Sequence, residues 1–321
     1  MKEFTMRPPQ PWHRKFPALL AAVMLAACGG GGGGSSTPVT PPPVTPPVTP
    51  PGAPAATGDT ALDAFNWFNY RRAGIGLSTL ARNTRLDTAA AGHSNYLRLN
   101  NTVSHDQVAG NPGYTGATLQ QRLSAAGYTL VNPYAFGEVI SAAGDRSGFY
   151  HAEELIAAIY HRFVILEPVF KEMGTGAATS GSNYTYFTAD FASSGGYGPG
   201  LGRGRIATYP GDGQVMVATT FLSDTESPDP VPNQNAVGYP VSVHTDITGS
   251  ITVSSFTIRP RNGAQLTTRL LSSATDSHTK QHVAAIVPLT TLTANTTYDV
   301  SFTGTADGVA VSRNWSFTTK Q

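Results

Sequence analysis

Apolar residues follow three regimes along the chain. Residues 16–27 are an almost unbroken apolar run, too short for a permanent bilayer span. From about residue 59 the period becomes helical. Leu62, Phe65 and Phe68 share one face of a helix that Asp59-Thr60 can cap and that ends near Gly74. Leu86, Ala90, His93 and Leu97 step by four, three and four, which predicts a second helix over 84–99. Thr118 opens a third, with Leu119 and Leu123 inside and Gly127 at its end. Residues 136–141 read as a short strand, and 150–163 as a helix burying Leu155, Ile156, Ile159 and Phe163. Two strands, 173–177 and 184–191, join through the Ser-Gly-Ser turn at 180–182. The alternating aromatics Tyr184, Tyr186, Phe187 and Phe191 read as core. Helices and antiparallel strands in this order predict a layered α+β domain rather than a doubly wound parallel sheet.

The third regime is strand after strand. Residues 239–244, 251–258, 282–287, 298–303 and 314–319 alternate or run apolar, with turns at Asn262-Gly263 and Asp307-Gly308. The stretch from Leu292 to Tyr298 resembles the corner of fibronectin type III and related sandwiches, where a tyrosine hydroxyl bonds back to the chain. A small seven-strand Ig/fibronectin-III-like sandwich over 236–321 is expected, with Trp315 in its core. Between the two regions, 197–235 is rich in glycine and proline around a short β segment at 214–222. It reads as an extension of the first domain followed by a linker.

The N-terminus sets an address. Arg7, His13, Arg14 and Lys15 precede the apolar run, and Leu25-Ala26-Ala27-Cys28 closes it. This is the layout of a signal peptide, residues 1–27, and the closing residues resemble a bacterial lipobox. The resemblance implies a diacylglyceryl anchor on Cys28, and Gly29 in place of Asp points to the outer membrane. The alternative is an ordinary cleaved signal. Residues 28–58 form a tether: six glycines, then repeats of Pro, Val and Thr, flexible first and extended afterwards. Cys28 is the only cysteine, so the exported chain relies on its core rather than on internal disulfides.

The net charge is +1, and the first 27 residues hold Lys2, Arg7, Arg14 and Lys15 against Glu3. The remainder is therefore slightly acidic and has no Lys/Arg run, which argues against a nucleic-acid partner.

Candidate chemistry lies in three short contexts: Val103-Ser104-His105-Asp106, Phe136-Gly137-Glu138-Val139-Ile140 and Tyr160-His161-Arg162. Two imidazoles and a carboxylate suit a divalent metal or acid/base work. The ordered series is longer. Asn69-Tyr70-Arg71-Arg72 with Gly74 and Leu80 comes first. Leu86, Ala90, Ala91, His93, Ser94 and Tyr96 follow, then Ser104-His105, Gly137-Glu138, His161-Arg162, Phe170 and Gly174-Thr175-Gly176. Over residues 60–192 this resembles the CAP superfamily, which includes the cysteine-rich secretory, antigen five and pathogenesis-related type one proteins and bacterial SCP-like proteins. The resemblance implies a CAP-type α-β-α sandwich over 59–196. It also implies one cleft holding His105, Glu138 and His161. The family's usual Trp is Leu155 here, and Glu153 and Glu154 are out of register with its second glutamate.

If the three residues converge, zinc with an open position is one outcome; a metal-free hydrogen-bonded cluster is the other. His93 lies on an apolar helical stripe and reads as a packed core histidine. His151, beside Glu153 and Glu154, reads as part of an exposed helix start. No role is assigned to His244, His278 or His282. Hydrolase and phosphate-loop signatures are missing: Gly92-His93-Ser94-Asn95-Tyr96 lacks the final Gly of a nucleophile elbow, and there is no His-Glu-x-x-His. The leading expectation is a lipid-anchored binding module for a small apolar (lipid or sterol-like) ligand, a metal ion or a cell-surface protein. A metal- or His/Glu-dependent hydrolase of peptide or envelope material and a non-catalytic spacer are the alternatives.

Overall fold

The structure, a computed structural model, describes residues 50–321. The signal peptide, Cys28 and most of the tether lie outside the described residues. Among the described residues no helix is long and apolar enough to cross a membrane.

The first half is built from α1 (Thr60–Gly74), β1 (Ala81–Arg82), α2 (Thr84–Asn100), α3 (Leu119–Ala125), β2 (Ala135–Ala143), α4 (Gly148–Ala157), α5 (Ile159–Ile165), β3 (Glu172–Thr179) and β4 (Thr185–Ser193). Its helices start where the side chains can cap. Asp59 accepts from Ala61 and Leu62 N–H, Asn83 from Arg85 and Leu86, and Thr118 forms a capping box with Gln121. The strands run in the order β1-β3-β4-β2, antiparallel apart from β1 on β3. The Gly174-Thr175-Gly176 motif shows how the layers meet. A Cβ on Gly174 or Gly176 would lie 2.1 Å from the backbone of α2, so only glycine lets that helix press on the sheet. Thr175 points the other way and donates to Ala61 O of α1 at 2.8 Å. Helices therefore cover both faces, in the α-β-α order expected.

One expected helix is two. The 150–163 stretch breaks at Ala158, whose backbone is extended (φ −67°, ψ 117°). The first N–H groups of α5 have no intrahelical acceptor, and Glu226 supplies one: its carboxylate accepts from Ile159, Tyr160 and His161 N–H at 2.7–3.1 Å.

The second half has β5 (Ala207–Tyr209), β6 (Gln214–Val217), β7 (Thr220–Leu222), β8 (Ala236–Gly238), β9 (Val241–His244), β10 (Ile251–Pro260), β11 (Thr268–Leu271), β12 (Val283–Pro288), β13 (Thr297–Ala306) and β14 (Val309–Thr319). Two four-stranded sheets form, ordered β10-β13-β14-β6 and β11-β12-β9-β5. The 197–235 stretch, expected as extension and linker, thus places one strand in each sheet, so the sandwich has eight strands rather than seven. Tyr298 makes the expected corner, accepting from Thr293 N–H at 2.8 Å, and Trp315 is buried.

No boundary of solvent separates the halves. One apolar cluster runs from Phe68, Val139 and Phe191 to Tyr209, Tyr239, Phe302 and Trp315. Arg162 crosses the seam. It donates to Ile156 O and Pro240 O, and Tyr209 and Tyr239 flank its guanidinium at 4.9 Å each.

Candidate functional site

His105 sits on the 101–118 loop, which polar contacts hold in place from below. Gln107 accepts from Thr115 N–H and donates through Nε2 to His93 Nδ1 at 2.9 Å. His93, fully buried on α2, then donates through Nε2 to Ser104 O at 2.9 Å. Arg122 of α3 donates to His105 O at 2.8 Å. His93 is thus the packed, hydrogen-bonded residue its stripe predicts. Burial lowers its pKa to about 4, with Glu138 pulling the other way.

Glu138, on β2, is the hub. Its Oε1 accepts from His105 Nδ1 at 2.8 Å and its Oε2 from Arg122 Nη2 at 2.6 Å; His93 Nε2 lies 3.9 Å away. Burial alone would push this carboxyl up. The Arg122 guanidinium, then His93 and His105, outweigh burial and hold it well below the ordinary carboxylate range. An ionised carboxylate only accepts, so a neutral His105 carries its proton on Nδ1. Nε2 then presents a lone pair, and no described residue engages it. The His105 side chain is 34% exposed and that of Glu138 2%.

Beside Glu138, across the β2–β4 ladder, is Asp190. It is fully buried, and neither of its oxygens finds a protein donor. Burial and then the Glu138 charge raise its pKa well above the usual value. With one guanidinium, Arg122, beside two buried carboxyls, the surroundings favour the protonated form of Asp190. A raised native pKa means the unfolded chain releases this proton first as pH rises, so Asp190 lowers stability as pH rises above about 4. Asp190→Asn is expected to gain on the natural chain as pH goes from 4 to 7. Urea unfolding at both pH values checks this, and a variant that loses ground instead contradicts it.

His161 is not part of this cluster. Its Nδ1 meets Glu226 Oε1 at 2.9 Å, and Glu226 comes from the turn between β7 and β8. The expected cleft of His105, Glu138 and His161 therefore does not assemble. Each histidine has its own carboxylate, and Glu138 is already occupied by Arg122. Among the described residues no group of three such side chains is arranged to hold a metal ion, and with Arg122 on Glu138 the donor set does not fit zinc. His151 also departs from expectation. It is fully buried, with Nδ1 on Ser141 Oγ at 2.8 Å, Nε2 on Asp145 O at 3.0 Å and its ring stacked on Phe187.

Sequence reasoning missed Arg122, Asp190 and Glu226. Arg122 and Glu226 lie in polar surroundings that read as solvent-facing. Asp190 had a signal: a carboxylate inside the apolar run 186–192.

Residues 65–191 match the model of the cysteine-rich secretory protein family, CAP. No curated protein matches the chain. Among solved structures it is similar to an extracellular protein containing an SCP domain from Bacillus anthracis str. Ames. That match has 26% identity and a TM-score of 0.35, over 46% of this chain and 44% of that one. It is also similar to an outer surface protein from Borrelia burgdorferi (15% identity, TM-score 0.35, 40% and 89% covered). A third is venom allergen-like protein 4 of Schistosoma mansoni (9%, TM-score 0.30, 42% and 88%). The chain spans less than half the length of the Bacillus protein. Residues 65–191 carry a CAP domain, and a β-sandwich follows it at the C-terminal end.

Proposed function

We propose that this protein is a binding module displayed on the bacterial cell envelope, with His105 Nε2 as its recognition atom. The observation that carries this reading is the oriented imidazole: Nδ1 is held by the buried Glu138, and no described residue engages Nε2 on a side chain that is 34% exposed. Exposed apolar residues lie near it in sequence: Val103 at 54% and Val108 at 62% on the same loop, with Tyr114 further along it and Leu99 on α2 also exposed. Such a surface suits a small, largely apolar ligand that offers one hydrogen-bond donor to the imidazole. A lipid or sterol-like molecule has that chemistry. Display on the outer membrane would come from the acylated Cys28 and the tether, with the sandwich free to meet a surface protein.

A second reading is favoured by the same dyad. A carboxylate behind an imidazole with a free Nε2 is the arrangement of a general base, which would serve hydrolysis of peptide or envelope material.

Native mass spectrometry of the chain recovered from envelope, beside His105→Ala and Val108→Asp, tests the binding reading. A lipid-sized adduct on the natural chain that both variants lose is the expected result. Bare protein in all three would overturn it. A hydrolysis rate that collapses in Glu138→Gln under conditions where the variant is still folded would favour the second reading instead.

A further inference from the structure

We propose that the seam between α1 and the β5–β6 turn is a polyproline-binding groove whose occupant is this chain's own Pro-Pro-Val-Thr repeat, residues 41–51. Proline pairs recur every four residues, at 42–43, 46–47 and 50–51, separated by Val-Thr. The last pair forms part of the groove's wall. Pro50 and Pro51 line a concavity of about 280 Å³ with Tyr70 and Arg71 of α1 and Gln214 and Val215 of β6.

The contacts have the chemistry of polyproline recognition. A polyproline II chain makes no internal hydrogen bonds and leaves its carbonyls open, so it is read by aromatic rings and by donors to those carbonyls. Tyr70 supplies both: its hydroxyl donates to Pro51 O at 2.8 Å, and its ring packs against Trp67 at 5.4 Å between centroids. The walls admit a chain closely. A Cβ on Gly74 or Gly213 would meet nothing within 4 Å, and Val215 leaves 39% of its surface uncovered. Arg71 is paired with Glu153, which suits an uncharged occupant.

The end at Pro50 and Pro51 is fixed in direction. Ala53 N–H bonds to Pro50 O at 3.1 Å and Gly52 has φ +73°, which is a type II turn with proline and glycine at their preferred places. Beyond it, Thr57 donates to Asp63 through both its amide and its hydroxyl at 2.7 Å. The prolines upstream of Pro50 are covalently continuous with a segment that lines the groove, so their effective concentration there far exceeds that of any separate chain. Because α1 belongs to the CAP domain and β6 to the sandwich, docking ties the tether to both.

The test uses the full chain with Cys28→Ser, spin-labelled at Thr45→Cys and Ala73→Cys. Double electron–electron resonance is expected to give one narrow distance distribution, independent of protein concentration. Tyr70→Phe and, separately, Val215→Asp should broaden it at unchanged melting temperature, and excess free Val-Thr-Pro-Pro-Val-Thr-Pro-Pro peptide should do the same. A broad distribution in the parent chain, equal to that of the variants, overturns the proposal. So does a narrow one that disappears on dilution with unlabelled protein, which would mean that a neighbouring copy supplies the occupant.

Discussion

Replacing Arg122 by methionine is expected to destabilise the protein by about 3–5 kcal/mol, because it leaves the Glu138 carboxylate buried without its cation. Arg122 is 1% exposed, and it also holds His105 O. The cost is thus that of an uncompensated buried charge plus an orphaned carbonyl. Changing Glu138→Gln in the same chain removes the charge that Arg122 answers. The double variant should therefore cost less than the two single changes together, by a coupling of about 0.5–3 kcal/mol. Denaturant unfolding of the four chains measures the cycle. A single Arg122→Met change costing under about 1 kcal/mol would mean that Glu138 is not ionised in the folded protein.

The second large effect is on pH. His93 falls from an ordinary value near 6.5 to about 4 on burial. The sign follows from which state takes up the proton. Below about pH 6.5 the unfolded chain protonates this imidazole while the folded chain does not, so stability falls with pH until the folded pKa is reached. The loss is about 3 kcal/mol over the whole interval, at 1.36 kcal/mol per unit. His151 and His244, also buried and also lowered, steepen the same decline, so a variant is needed to isolate His93. His93→Gln should flatten the stability curve between pH 7 and pH 4.5 by most of that amount. A variant curve parallel to the natural one would show that His93 is protonated in the fold at acid pH.

The two parts of the site were unequally legible in sequence. His105 and Glu138 could be singled out because each lies in a short context within an ordered series, and the structure brings them to 2.8 Å. The same series put His161 beside them, and there the expectation failed. Nothing in the spacing of 65 residues between His161 and Glu226 signals that they meet. Glu226 sits in a Ser-, Asp- and Pro-rich stretch that reads as linker, and its role depends on β7 and β8 pairing to fold that stretch over α5. The break at Ala158 was hidden for a related reason. Local periodicity continues through it, while a distant carboxylate decides where the new helix begins.

The sandwich shows the complementary case. Period-two patterning located β9, β10, β12 and β13 to within three residues, and of β14 only the second half, where one face is buried. It passed over β5, with three residues, which is too short to show a period. It also merged β6 and β7, which Ala218 and Thr219 separate. Short strands are decided by the partners they reach, here β9 and β14.

The orientation of His105 is the point on which the functional reading turns. Long-range ¹H–¹⁵N NMR of the imidazoles at pH 8 reads it directly. The expected pattern is a single His105 tautomer with its proton on Nδ1, giving way to a mixture in Glu138→Gln. A His105 that carries its proton on Nε2 in the natural chain would contradict the account, since no lone pair would then face the ligand.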